Sequence, residues 1–143
     1  LQRPRTDDIE DRLAHSMGMW QLISSPGFEV DFDYLEERLR NMYARGMTRG
    51  GIARQMLAIG ADGDRRAELR KLDIPTLVIH GKQDRLVPVA AGIDTADAIP
   101  DARLELIEGM GHDLPVGLHD RLSDLILAHV RGVEHRSSVA GAI

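Results

Sequence analysis

Pro75-Thr76-Leu77-Val78-Ile79-His80-Gly81-Lys82-Gln83-Asp84 is the stretch on which the fold turns. A continuously apolar, β-branched run bounded by Pro and Gly reads as a strand buried on both faces, the setting of a parallel strand. A second run, Ala102-Arg103-Leu104-Glu105-Leu106-Ile107-Glu108-Gly109-Met110-Gly111-His112, alternates in part and suits an edge strand with one wetter side. Between them, residues 89 to 99 have room for a short crossover helix that Pro100 and Asp101 stop. Strand, helix, strand is a βαβ unit, and its two strands run parallel. Asp84 and His112 then sit on neighbouring turns at the carboxyl edge of the sheet, where open α/β sheets keep their sites. A carboxylate beside an imidazole fixes the ring's tautomer and leaves the far nitrogen to take a proton from a nucleophile. Alone, an Asp after Gly reads as a turn residue bonding its own backbone. The matching position of His112 favours the pair.

Upstream, the pattern is helical. Residues 1 to 6 form a loose lead-in. Residues 7 to 23 read as an amphipathic helix with Ile9, Leu13, Met17 and Trp20 on one face, ended by Ser24-Ser25-Pro26-Gly27. A second helix fits residues 33 to 45, with Leu35, Leu39, Met42 and Tyr43 on one side and Gly46 terminating it. A third begins near Thr48, with Ile52, Met56, Leu57 and Ile59 apolar. Its Gly50-Gly51 pair lacks the G-x-x-x-x-G-K-[ST] spacing of a phosphate loop, and no strand precedes it. A short charged helix over residues 65 to 71 leads into the first strand. After His112, Asp113 suits a helix cap and Pro115 a first turn. Leu118, Leu122, Leu125, Ile126 and Val130 form a stripe that would lie on the sheet, with Gly132 ending the helix.

Composition narrows the function. The 143 residues are 43% hydrophobic and 29% charged, as in a globular domain. A net charge of −5 argues against nucleic-acid binding, which needs a basic surface. With no cysteine, disulfides, thiolate metal sites and cysteine nucleophiles are excluded. Six histidines show no metal-binding spacing such as H-E-x-x-H. His119 is expected to face solvent, His129 and His135 do not share a helical face, and His80 is expected to hydrogen-bond loop backbone. No stretch approaches the roughly 20 apolar residues of a membrane span, and the cytoplasm is the default compartment.

Gly81-Lys82-Gln83-Asp84-Arg85-Leu86-Val87-Pro88 resembles the acid loop of the α/β-hydrolase superfamily, and Gly109-Met110-Gly111-His112-Asp113-Leu114-Pro115 resembles its histidine loop. The resemblance extends over roughly residues 16 to 130 to the second half of esterase-like members, including aclacinomycin methylesterase-like ones. It implies the C-terminal part of an α/β-hydrolase fold: a helical cap segment (1–70), a βαβα core unit with parallel strands (71–132) and a flexible tail (133–143). It further implies Asp84 as triad acid and His112 as triad base, with no cofactor and no metal. A cap over such a site excludes water and supplies apolar walls. Trp20, Met42, Met56 and Val87 are the candidate substrate-binding residues, with Phe28 and Met47 as further wall candidates. The plain alternative is that these side chains pack helix against helix.

The superfamily's serine stands in a G-x-S-x-G elbow between a strand and a helix, ahead of the acid. The 143 residues hold no such motif. Ala14-His15-Ser16-Met17-Gly18 imitates it, but the charged stretch before it is no buried strand, so Ser16 reads as a helical serine. The expectation is therefore the C-terminal portion of a serine hydrolase of carboxylic esters, inactive alone. The alternative is a non-catalytic binding or oligomerisation module of the same descent. Either a missing N-terminal half or a second copy would cover the strand edge that the sequence leaves without a neighbour. The substrate would be a small ester-like molecule.

Overall fold

The computed structural model describes residues 8–46 and 48–140. The proposed lead-in over residues 1 to 6 and the wall candidate Met47 lie outside them, as does the end of the proposed tail. Four helices come first: α1 (Ile9–Ile23), α2 (Phe32–Ala44), α3 (Arg49–Asp62) and α4 (Arg66–Leu69). Then follow β1 (Leu77–Gly81), α5 (Val89–Ala98), β2 (Arg103–Ile107), a 3-10 turn (Val116–Leu118) and α6 (His119–Ala140).

Side-chain caps start the first three helices, each meeting a backbone N–H that would otherwise lack a partner. Asp8 accepts from the Glu10 N–H, Asp31 from the Tyr34 N–H and the Thr48 hydroxyl oxygen from the Gly51 N–H. At the other end of α1 the Ser24 hydroxyl donates to the Trp20 carbonyl at 2.6 Å. The apolar faces then meet: Leu13, Leu35 and Leu39 are buried together between α1 and α2, with Met17, Trp20, Met42 and Tyr43 packed against them. Burying each such leucine contributes about 1.5–3 kcal/mol. The Arg40 guanidinium straps the outer side, reaching Glu10 on α1 at 2.8 Å.

β1 and β2 pair in parallel, from Leu77 opposite Arg103 to Gly81 opposite Ile107. This is the expected βαβ unit, with α5 as the crossover. A second cluster, Ile107, Met110, Leu118 and Leu122, lies under the sheet with Phe28, Ile79 and Leu125 against it.

Three expectations are corrected. The apolar run of β1 is only partly buried over Leu77 to His80, because the described sheet has two strands and one edge of β1 has no strand beside it. The expected stripe is buried at Leu118, in the 3-10 turn, and at Leu122 on α6, but Ile126 and Val130 stand half-exposed. And α6 runs through Gly132 to Ala140 instead of stopping. A lone glycine weakens a helix by about 1 kcal/mol without having to end it. Helix α3 stands open, with Met56 and Leu57 at 58% and 73% exposure. Among the described residues, no helix is long and apolar enough to cross a membrane.

Candidate active site

The turn after β1 is built around Asp84. Its Oδ1 accepts the N–H groups of Leu86 and Val87, each at 2.8 Å, which is the turn-residue role the sequence allows for an Asp after Gly. Its Oδ2 lies 2.8 Å from Nδ1 of His112, so one carboxylate serves both roles. The side chain is 5% exposed. Burial pushes the carboxyl up, but the Val87 N–H, the His112 ring and the Leu86 N–H outweigh it and hold Asp84 below the ordinary aspartate range. An ionised carboxylate only accepts, so Nδ1 of His112 carries the hydrogen and the neutral ring leaves Nε2 as an acceptor. Nε2 makes no hydrogen bond among the described residues, and the His112 side chain is 38% exposed.

Behind the pair, His80 donates from Nε2 to the Val87 carbonyl at 3.0 Å and lies 3.8 Å from Asp84. This is the loop-backbone role expected of it. Gly92 on α5 leaves room for that ring, since a Cβ there would lie 2.6 Å from it.

The turn after β2 is stitched to the first turn. Gln83 accepts the Gly109 N–H at 2.7 Å through Oε1 and donates its own N–H to the Met110 carbonyl at 3.0 Å. Lys82 donates its N–H to the Ile107 carbonyl, and its ammonium pairs with Glu108 at 3.0 Å. Lys82 thus belongs to the lacing of the two turns. Gly81 has no alternative at its position, because a Cβ would collide with the Met110 carbonyl oxygen.

Asp113 does not cap the following helix as expected; the 3-10 turn Val116–Leu118 follows Pro115 with no side-chain cap. Its carboxylate instead accepts the N–H and the hydroxyl of Ser25, whose oxygen accepts the Gly111 N–H at 2.8 Å. Sequence reasoning treated Ser25 as a turn residue and had no signal for this contact, which joins positions 88 apart.

A cavity of about 260 Å³ opens over the pair, lined by Ile79, Val87, Met110, Leu114 and the two site residues among others. Of the four substrate-binding candidates, Val87 lines it. Trp20 and Met42 pack in the α1–α2 cluster, and Met56 is exposed on α3. Trp20 lines a small neighbouring cleft that shares Asp113 and Leu114 with the cavity over the pair. Ser16 lies inside α1, its Oγ 2.6 Å from the Tyr43 hydroxyl. Among the described residues, no three His, Asp or Glu side chains are grouped to hold a metal ion.

A parallel sheet with a carboxylate and an imidazole paired on adjacent carboxyl-end turns is an arrangement compatible with an α/β-hydrolase. Residues 31–117 match the family described as serine aminopeptidase S33, and the chain belongs to that family within the α/β-hydrolase superfamily. It is 35% identical over 134 residues to rhodomycin D methylesterase DauP of Streptomyces sp. strain C5, covering 92% of this chain and 44% of that protein. The Streptomyces peucetius enzyme of the same description, DnrP, is 34% identical over the same shares. Among solved structures, a bromoperoxidase from Bacillus anthracis superposes with a TM-score of 0.65 at 28% identity, over 86% of this chain and 45% of that one. The chain thus spans about half the length of the relatives it matches.

Proposed function

We propose that this chain is the acid–histidine portion of a serine hydrolase of carboxylic esters. Asp84 is the triad acid and His112 the triad base. The observation that carries the reading is the 2.8 Å bond between Asp84 and Nδ1 of His112, which leaves Nε2 open towards the cavity. The similarity to two methylesterases favours an ester over other acyl substrates. In this mechanism Nε2 takes the proton of a serine hydroxyl as that oxygen attacks the ester carbonyl, then returns it to the departing alcohol, while Asp84 stabilises the imidazolium between the two steps.

The serine comes from outside residues 1–143, on polypeptide that also supplies the oxyanion site and covers the free edge of β1. Two observations support this: the sequence has no G-x-S-x-G elbow, and Ser16 is bonded to Tyr43 inside a helix. Helices α1 to α3 act as the cap over the site, and Val87 forms part of the acyl or alkyl wall.

The test is hydrolysis of p-nitrophenyl acetate and butyrate. The chain alone should not exceed the imidazole background. Placed behind the N-terminal half of a rhodomycin D methylesterase, it should turn the esters over, and His112→Ala or Asp84→Ala should reduce kcat by about 10³-fold or more. Turnover by the chain alone that Ser16→Ala abolishes would overturn the reading. So would an active chimera indifferent to His112→Ala.

A further inference from the structure

Ser25 is buried, at 2% exposure. Its backbone N–H donates to Oδ1 of Asp113 at 2.8 Å, its hydroxyl donates to the same oxygen, and its hydroxyl oxygen accepts the Gly111 N–H at 2.8 Å. Two positions earlier, the Ile23 carbonyl accepts the His112 N–H at 2.7 Å, and two positions later the Gly27 N–H donates to the Gly109 carbonyl at 2.9 Å. The linker between α1 and α2 therefore holds the histidine turn on both sides of His112. The fit leaves no slack: a Cβ at position 111 would lie 2.5 Å from the Ile23 oxygen and 2.6 Å from the Ser24 oxygen.

We propose that Ser25 is a positioning residue for His112, acting through Gly111 and Asp113. This rests on the acid–base reading of Asp84 and His112. The acid turn secures only the near side of the histidine turn, through Gln83 to Gly109 and Met110. On the far side the ring's direction depends on the backbone of residues 111 to 113, and there the polar ties run to the α1–α2 linker. The Ser25 hydroxyl gives its one hydrogen to a carboxylate and accepts an N–H on its oxygen, so it bridges the two. A shift of α1 and α2 against the sheet is thereby carried into the distance between Nδ1 and Asp84.

Histidine side-chain 1H–15N spectra of the 143-residue chain test this. The wild type should show a protected Nδ1 proton on His112 that disappears in Asp84→Ala. A wild-type spectrum without it overturns the acid–base reading, and this proposal with it. With that signal present, Ser25→Ala should speed exchange of the Nδ1 proton about tenfold, the size expected for losing a hydrogen bond to a charged group. Backbone amides of β1 and β2 should keep their rates. Ser25→Cys fills the same space with a much weaker donor and acceptor and keeps the test open if the alanine variant does not fold. It should behave as the alanine variant is expected to. An unchanged Nδ1 rate in Ser25→Cys, or equal acceleration of every amide, overturns the proposal.

Discussion

Asp84 gathers three donors on a side chain almost without exposure, so its removal strands two backbone N–H groups and the His112 ring together. Asp84→Ala should destabilise the chain by about 2–3 kcal/mol, read as a lower urea midpoint at unchanged slope. The pH dependence follows from the same contacts. Because the folded carboxyl sits below the ordinary aspartate value, the unfolded chain takes up its proton more readily. The stabilisation is complete above about pH 4 and is lost as the pH falls through the lower folded value. Midpoints measured down to pH 2.5 should show wild type and Asp84→Asn converging as the pH drops; parallel curves would contradict the assignment. Asp84 and His112 could be read from the sequence because each follows a short apolar strand and a glycine, a local signal. Ser25 and the true partner of Asp113 could not, since that contact spans 88 positions and leaves no trace in either neighbourhood.

Among the elements, those bounded by turn chemistry were readable to within a residue or two: α2 covers Phe32–Ala44 where residues 33 to 45 were expected, and β1 and β2 fall inside the two apolar runs. What periodicity could not tell is whether an apolar face has anything against it. α1 and α2 bury theirs in each other, whereas the apolar side chains of α3 and those of α6 at Ile126, Leu127 and Val130 stand exposed. Two substitutions probe the elements in opposite directions. Gly132→Ala lies within α6, where a Cβ would meet nothing within 4 Å, and should raise stability by about 0.5–1 kcal/mol with more helical circular dichroism. Gly111→Ala should cost about 1–3 kcal/mol, because the linker carbonyls around it would have to move. An innocuous Gly111→Ala would mean that the linker and the histidine turn are not in contact in solution.

The molecule as a whole has one asymmetry. Thr76 and Lys82 both bond β2, so the even positions of β1 turn their backbone groups towards β2 and positions 77 and 79 turn theirs outward. Among the described residues no strand lies on that side, and an open edge on an apolar strand invites another strand. Light scattering on the chain alone should give a mass above 15.8 kDa. Leu77→Pro, which removes an outward donor at a position where edge strands accept proline, should return it to the single-chain value. A well-folded wild-type monomer would count against edge pairing between copies.

The ties between Ser25 and Asp113 also set an order of events. βαβ closure needs only residues 77 to 107, a local loop by comparison, whereas the linker must find the histidine turn across nearly ninety intervening positions. Closing the longer loop costs more entropy and comes after nearer contacts have formed. The chain would therefore pair its strands and bring Asp84 near His112, 28 positions away, before the linker closes on the far side of the histidine turn.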